Sequence, residues 1–214
     1  MQPVKYAIIS AAGMGSRLEL NMPKCMVEIA GRRIVDYQLD LLKEVEHVRI
    51  VVGFMEEQVI DHVRRLRDDV VFVRNPQFQT TSNSYSLYLA THDLREAFFA
   101  IDGDLLIDPA SFQGFLDVCD GSRSVIGVTD SKTEEAVFVE LDSAGKEIRA
   151  FYRQPRTPHE WCGVACLKGI RINKDQGYVY KEIEKHLPLP AYNLKCFEVD
   201  TPEDLNYAIA HFKG

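Results

Sequence analysis

The feature that most limits the fold is a short apolar strand that runs without a spacer into a glycine turn. Val4 to Ser10 is a β-rich apolar run, and Gly13 and Gly15 follow it within Ser10-Ala-Ala-Gly-Met-Gly-Ser-Arg-Leu18. Such a run reads as a strand buried on both faces, the pattern of a parallel sheet. Parallel strands need helical crossovers, and the following segments supply them. Ile34, Tyr37, Leu41 and Leu42 share one helical face, and Val48 to Val52 reads as a second strand. Val59, Ile60, Val63 and Leu66 mark a second amphipathic helix, with Arg64, Arg65 and Arg67 on its wet side. Val70 to Val73 is a third strand, stopped by Asn75-Pro76. A helix from Tyr85 to Arg95 and a strand from Phe98 to Asp102 complete the alternation.

The remainder changes character. Ser124 to Thr129, Ala136 to Leu141 and Glu147 to Tyr152 read as antiparallel strands, with a hairpin turn at Ser143-Ala-Gly145. Val164 to Leu167 is another strand, a helix lies near Gln176 to His186, and Leu194 to Val199 is a late strand. Thr201 is placed to cap a last helix that has Pro202 in its first turn, and Asp108 to cap one before Pro109. The expected class is α/β: a Rossmann-like, mostly parallel sheet flanked by helices, with a small antiparallel β extension. At 214 residues the chain fits one domain over 1–214. Ligands of such sheets bind at the carboxyl ends of the strands.

Composition narrows the function classes. The net charge of −7 disfavours general binding of a nucleic-acid backbone, so a phosphate site must be built locally. No apolar run approaches the ~20 residues of a membrane span, so no membrane partner is expected. Five scattered cysteines without a Cys-x-x-Cys pair fit reduced thiols in a cytoplasmic protein, and the six histidines show no zinc-ligand spacing with them.

The glycine turn carries the chemistry. Its glycines permit positive φ and close approach of a ligand, and consecutive N–H groups there form an anion nest. A dinucleotide fingerprint requires a third glycine where Leu18 stands, and a P-loop requires Gly-Lys-Ser/Thr where Gly15-Ser16-Arg17 stands. What remains is a nest from Ala11, Ala12, Gly13, Met14, Gly15 and Ser16, followed by Arg17 and Pro23-Lys24. A forked guanidinium and a point-charge ammonium beside such a nest suit a triphosphate.

Ala11-Ala-Gly-Met-Gly-Ser-Arg17, then Pro23-Lys24 and Met26-Val-Glu-Ile-Ala-Gly31, resembles the signature of the nucleotidyltransferase superfamily that makes nucleotide-sugars and related activated head groups. Asn83-Ser-Tyr-Ser-Leu-Tyr-Leu-Ala90 is similar to a stretch of its phosphocholine and phosphonate cytidylyltransferase-like branch. The resemblance implies a GT-A-like fold, with a nucleotide-binding half over 1–107 and an acceptor-binding half over 108–214. It implies Arg17 and Lys24 as catalytic cations, and Ser82, Asn83 and Ser84 near the base of a nucleoside triphosphate, CTP first. A homodimer follows by the same analogy.

Asp102-Gly-Asp104 ends the fourth parallel strand, and Asp200 ends the late one. Buried carboxylates are costly unless paired or metal-bound, and a triphosphate brings a divalent cation. The resemblance maps Mg²⁺ binding to Asp104 and Asp200, and Asp102 is a further candidate at the nucleotide, the metal or the acceptor. It also places Glu160-Trp161-Cys162-Gly163 towards the acceptor, where the carboxylate and indole suit an ammonium group, with Tyr85, Phe151 and Tyr152 as further aromatic candidates. The family's lysine three residues after that glycine is Cys166 here, leaving Lys168 or Arg153 as substitutes. The expected reaction moves CMP from CTP to a small phosphorylated or phosphonate acceptor such as phosphocholine or 2-aminoethylphosphonate, releasing pyrophosphate. Two rivals stand beside it: a sugar-1-phosphate nucleotidyltransferase using UTP, dTTP or CTP, and a catalytically inactive nucleotide-binding regulatory module.

Overall fold

The computed structural model describes residues 4–132, 136–174 and 177–213. The chain starts with β1 (Tyr6–Ser10) and a loop holding two 3₁₀ turns, Ser16–Leu18 and Lys24–Met26. A small hairpin, β2 (Glu28–Ile29) and β3 (Arg32–Arg33), leads into α1 (Ile34–Leu41). The alternation then runs β4 (His47–Val52), α2 (Glu56–Val63), β5 (Val71–Arg74), α3 (Asn83–Thr91) and β6 (Phe98–Asp102). After it come β7 (Leu105–Ile107), α4 (Pro109–Val118), β8 (Val125–Asp130), β9 (Phe138–Leu141), β10 (Glu147–Tyr152) and β11 (His159–Leu167). The chain closes with α5 (Tyr180–Ile183), a 3₁₀ turn at Glu184–His186, β12 (Leu189–Asn193), β13 (Cys196–Glu198) and α6 (Pro202–His211).

One nine-stranded sheet has the order β5-β4-β1-β6-β11-β8-β12-β10-β9. The first four strands are parallel, as expected from the apolar runs of β1 and β6. β11 joins antiparallel to β6 and begins the other half, where β8 and β12 are the one parallel pair. β9 pairs with both β10 and β11, so β11, β8, β12, β10 and β9 close on one another and leave β5 as the open edge. β1 is buried through both faces. Ala7 and Ile9 pack into the core on one side and Ile8 into the core on the other. Each buried isoleucine stabilises the sheet by roughly 1.5–3 kcal/mol, which fixes where the glycine loop emerges.

Several elements differ from the sequence reading for local reasons. β12 is a strand despite Pro188 and Pro190, and Pro190 sits opposite Glu147 of β10. The late strand shortens to Cys196–Glu198 and pairs with β7, a three-residue strand directly after Asp104. α2 ends at Val63, so Leu66 falls outside it and is 52% exposed. Arg67 is not simply solvated, because its guanidinium donates to the carbonyls of Leu42 and Val45, just past the end of α1. Gln176, named as the start of the helix before β12, lies outside the described residues. Asp108 and Thr201 cap α4 and α6, accepting from Ser111 N and Asp204 N. All five cysteines are buried and free, and no helix among the described residues is long and apolar enough to cross a membrane.

Candidate active site

The carboxyl ends of β1 and β6 and the chain just past β13 converge on the glycine loop. Ala11 N donates to Val51 O at 2.9 Å, and Phe54 N to Ala12 O at 3.1 Å, so the loop leaves the sheet under restraint from β4 and its following turn. Beyond that point, among the described residues, the N–H groups of Gly13, Met14 and Gly15 donate to no backbone carbonyl. They remain for a ligand, as an anion nest requires. Gly15 is held at φ 60°, and a Cβ there would lie 2.8 Å from Lys24 Cγ. The second glycine is thus the floor on which the Lys24 stem lies. Gly13 has open space around it.

Lys24 is the hub. Its ammonium donates to Asp104 Oδ2 at 2.8 Å and also to Asp200 Oδ1, while Arg17 pairs with the other oxygen of Asp200. Burial works against the lysine's charge, but Asp104 and Asp200 outweigh it and hold the pKa above the ordinary value. Arg17 differs: its side chain is 59% exposed, so it reaches over the mouth of the site from solvent. The turn between β6 and β7 sets Asp104. Gly103 N donates to Ser10 O at 3.0 Å, and Val199 N to Asp104 O at 3.0 Å, which ties the two carboxylate-bearing ends together.

Negative charge is in excess. Asp102, Asp104, Glu198 and Asp200 face Lys24 and Arg17 in one cavity of about 390 Å³. Burial, then the charge of Asp104, pushes Asp102 up to about 7. Glu198, which opens to the cavity on one side, is also raised, by partial burial first and then by Asp104 and Asp200. Among the described residues no group of three or more His, Cys, Asp or Glu stands in metal-ligand geometry. A Mg²⁺ needs fewer from the protein: one or two carboxylates, with phosphate oxygens and water completing its shell. Two carboxylates already gathered around a cation, with two more crowded beside them, fit that requirement. Asp104 and Asp200 are the residues that could hold it.

The same cavity becomes uncharged away from Lys24. Phe78, Thr81, Ser82, Asn83 and Ser86 line that end. Ser82 holds the N-cap position of α3, yet its side chain makes no capping bond. Buried Asn75 donates both Nδ2 hydrogens, to Thr81 Oγ1 at 3.1 Å and Ser86 Oγ at 3.0 Å, and so fixes two hydroxyls on the wall. Ser84, grouped by the sequence with Ser82 and Asn83, is placed elsewhere. One step along the helix turns it inward, where it is fully buried and donates to Asn173 O at 3.5 Å. Met14 stands 39% exposed and lines neither this cavity nor the next.

A second cavity of about 500 Å³ opens from the first and shares Asp102, Asp104, Glu198 and Asp200 with it. Glu160, Trp161 and Gly163 of β11 form one wall. Gly163 has φ 76°, and a Cβ there would fall 2.6 Å from Asp102 Oδ2, so this glycine admits the carboxylate. Glu160 is 6% exposed and accepts from Lys132 N at 3.1 Å. Trp161 is half-buried, with its indole N–H donating to Val164 O at 3.3 Å. Tyr178, Tyr180 and Arg153 also line this cavity, with the guanidinium 4.8 Å and 5.8 Å from the two ring centres. Of the two cations named as substitutes for the missing lysine, Arg153 is therefore at the cavity and exposed Lys168 is not.

The aromatic candidates are corrected. Tyr85 stacks on Tyr88 along α3 and lines neither cavity. Phe151 packs against Tyr180 from behind, and Tyr152 bonds outward to Glu140. The sequence reading missed Tyr178 and Tyr180, which follow a loop with no periodic signal. It also missed Glu198, which a period-two count back from Asp200 would have placed on the same side of the chain.

Comparison with known proteins bears on the family and the fold. The MobA-like NTP transferase domain model matches residues 7–163. A choline-phosphate cytidylyltransferase of Streptococcus pneumoniae is 36% identical over 103 residues, covering 46% of this chain and 44% of that protein. A CMP-5'-(3-aminopropyl)phosphonate synthase of Streptomyces rubellomurinus is 35% identical over 119 residues, covering 50% of this chain and 18% of that protein. The matches thus span less than half the length of these two relatives. Among solved structures, a CTP:phosphocholine cytidylyltransferase from Streptococcus pneumoniae superposes with TM-score 0.81 at 23% identity, over 98% of this chain and 100% of that one. An inositol-1-phosphate CTP transferase from T. maritima gives 0.76 at 18% identity, with both chains covered fully. Both share the α/β fold.

Proposed function

The chain belongs to the family of MobA-like NTP transferase domains, and from that premise we propose that it is a Mg²⁺-dependent cytidylyltransferase. It moves CMP from CTP to a small phosphorylated or phosphonate acceptor bearing a cationic end, such as phosphocholine or 2-aminoethylphosphonate, and releases pyrophosphate. The observation that carries this reading is the meeting of two cavities at Asp104 and Asp200, the two carboxylates bonded to Lys24. One is built for phosphates and a neutral ring. The other is lined by a buried carboxylate and three aromatic side chains, a setting that attracts an ammonium group. The names of the matched relatives, several of which act with CTP, support the choice of base.

The reaction needs no covalent enzyme intermediate. The acceptor oxygen is ionised at neutral pH and attacks the α-phosphorus, and pyrophosphate leaves with the bonding electrons of the broken P–O bond. No side chain has to remove a proton. The protein's part is positioning and charge neutralisation. The nest N–H groups and Arg17 take the departing phosphates, and Lys24 takes the charge at the α-phosphoryl group. Asp104 and Asp200 would hold the Mg²⁺, which when bound neutralises the triphosphate. Asn83, with an amide that both donates and accepts, and the hydroxyls fixed by Asn75 read the base.

The test is pyrophosphate release with CTP, UTP, dTTP and ATP, each paired with phosphocholine, 2-aminoethylphosphonate and sugar 1-phosphates in the presence of Mg²⁺. Release is expected with CTP and an aminoalkyl acceptor. Release with UTP or dTTP and a sugar phosphate, and none with CTP, would overturn the reading in favour of a sugar-phosphate enzyme. Nucleotide binding without turnover of any pair would favour a regulatory module.

A further inference from the structure

One polar side chain on the buried face of α1 has no part in the chemistry above. Gln38 is 1% exposed and packs among Ile34, Val35, Leu39 and Leu42, where an apolar residue would be the ordinary choice. Its Nε2 donates to Asp102 O and to Leu105 O, each at 2.9 Å. Those carbonyls bracket Gly103-Asp104. β6 ends at Asp102 and β7 starts at Leu105, so Gln38 spans the whole turn that presents Asp104.

The other side of the turn has no slack. Gly103 N is bonded to Ser10 O, and a Cβ on Gly103 would fall 2.7 Å from that oxygen and 2.9 Å from Ala11 Cα. The turn is therefore clamped between the glycine loop on one side and Gln38 on the other. The clamp leaves a liability in the fold. Gln38 Oε1 is buried and accepts no hydrogen bond among the described residues. A buried unpaired acceptor is destabilising; an apolar side chain of similar size would remove that cost but would leave the Asp102 and Leu105 carbonyls without this donor.

We propose that Gln38 is a positioning residue, which acts through the Asp102–Leu105 backbone to hold Asp104 opposite Asp200 and Lys24. This role rests on the transferase reading for its purpose, but not for its geometry. Misplacing a catalytic group by about 1 Å can cost on the order of 100-fold in rate, and among the described residues no other side chain donates to the carbonyls of Asp102 and Leu105.

The experiment compares wild type with Gln38→Leu and Gln38→Met by thermal melting, hydrogen exchange and steady-state kinetics. The expected result is a slightly lowered melting temperature, since the lost bonds to the Asp102 and Leu105 carbonyls are partly offset by removal of the unpaired Oε1, and faster amide exchange confined to residues 103–105. With it, kcat falls about 10- to 100-fold while KM for CTP stays within about threefold. A merely structural glutamine would instead give a markedly lower melting temperature with exchange raised throughout the sheet, and that result overturns the proposal. So does wild-type kcat with unchanged exchange at 103–105 in either variant. If the wild-type chain releases no pyrophosphate with any pair, the transferase reading fails, while the exchange pattern still decides what Gln38 does to the turn.

Discussion

The two cavities that meet at Asp104 and Asp200 are made from different materials by different parts of the chain. The phosphate cavity belongs to the parallel strands, and it is built from backbone and charge. The loop is bonded to β4 and the turn after it, Gly15 lies under the Lys24 stem, and Lys24 is bonded to two carboxylates whose chain segments are tied by Val199 N donating to the Asp104 carbonyl. The acceptor cavity belongs to β11 and the segment around the start of α5. Trp161, Tyr178 and Tyr180 line it, and Glu160 and Arg153 add to the carboxylates it shares with the first cavity. A cavity of the first kind fixes reacting atoms, and its errors appear in turnover. A cavity of the second kind selects by shape and charge, and its errors appear in affinity for one substrate.

The comparison breaks most visibly at Lys24. Lys24→Ala is expected to lower kcat by about 10²–10³-fold, the usual scale for losing one donor aimed at developing charge. KM for the acceptor should change little, and steady-state kinetics with both substrates varied will tell. An equal rise in acceptor KM would mean that the two cavities are not separable. Gly163→Ala probes the seam between them. The added Cβ meets Asp102 Oδ2 at 2.6 Å on a backbone at φ 76°. The expected loss is about 1–3 kcal/mol of stability, read as a lowered melting temperature with reduced turnover. Trp161→Ala sharpens the acceptor side. Loss of one partly desolvated cation–π contact predicts about a tenfold rise in acceptor KM, at unchanged KM for CTP. The smallest effect belongs to Tyr85→Ala. Its ring stacks on Tyr88 away from both cavities, so both KM values should stay within about twofold of wild type. A larger shift would return Tyr85 to the site.

How far the sequence could be read follows the same division. The parallel strands declared themselves as apolar runs punctuated by glycine, and the loop chemistry was legible because Leu18 excluded one phosphate motif and Gly15-Ser16-Arg17 the other. Asp104 and Asp200 stood out as carboxylates at strand ends. The acceptor wall was harder. Trp161 and Glu160 sit within a strand and could be named, but Tyr178 lies just before α5 and Tyr180 is the first residue of that short helix, and no local pattern assigns such a junction to a cavity. Ser84 and Tyr85 show the opposite failure. A polar and aromatic cluster at a helix start carries no mark of which residues the helix turns inward. β12 was hidden by its prolines, which ordinarily demote a strand. Gln38 was invisible as well, because a single amide on an apolar face gives no hint that it spans a turn far along the chain.

The most direct measurement follows the α-phosphorus of CTP by ³¹P NMR in the presence of Mg²⁺ and an aminoalkyl phosphate or phosphonate. The account predicts that it leaves the triphosphate and appears in a new anhydride to the acceptor phosphorus, with one pyrophosphate released per bond formed. An α-phosphorus that ends as free CMP, or that stays in CTP while another nucleotide is consumed, would contradict it.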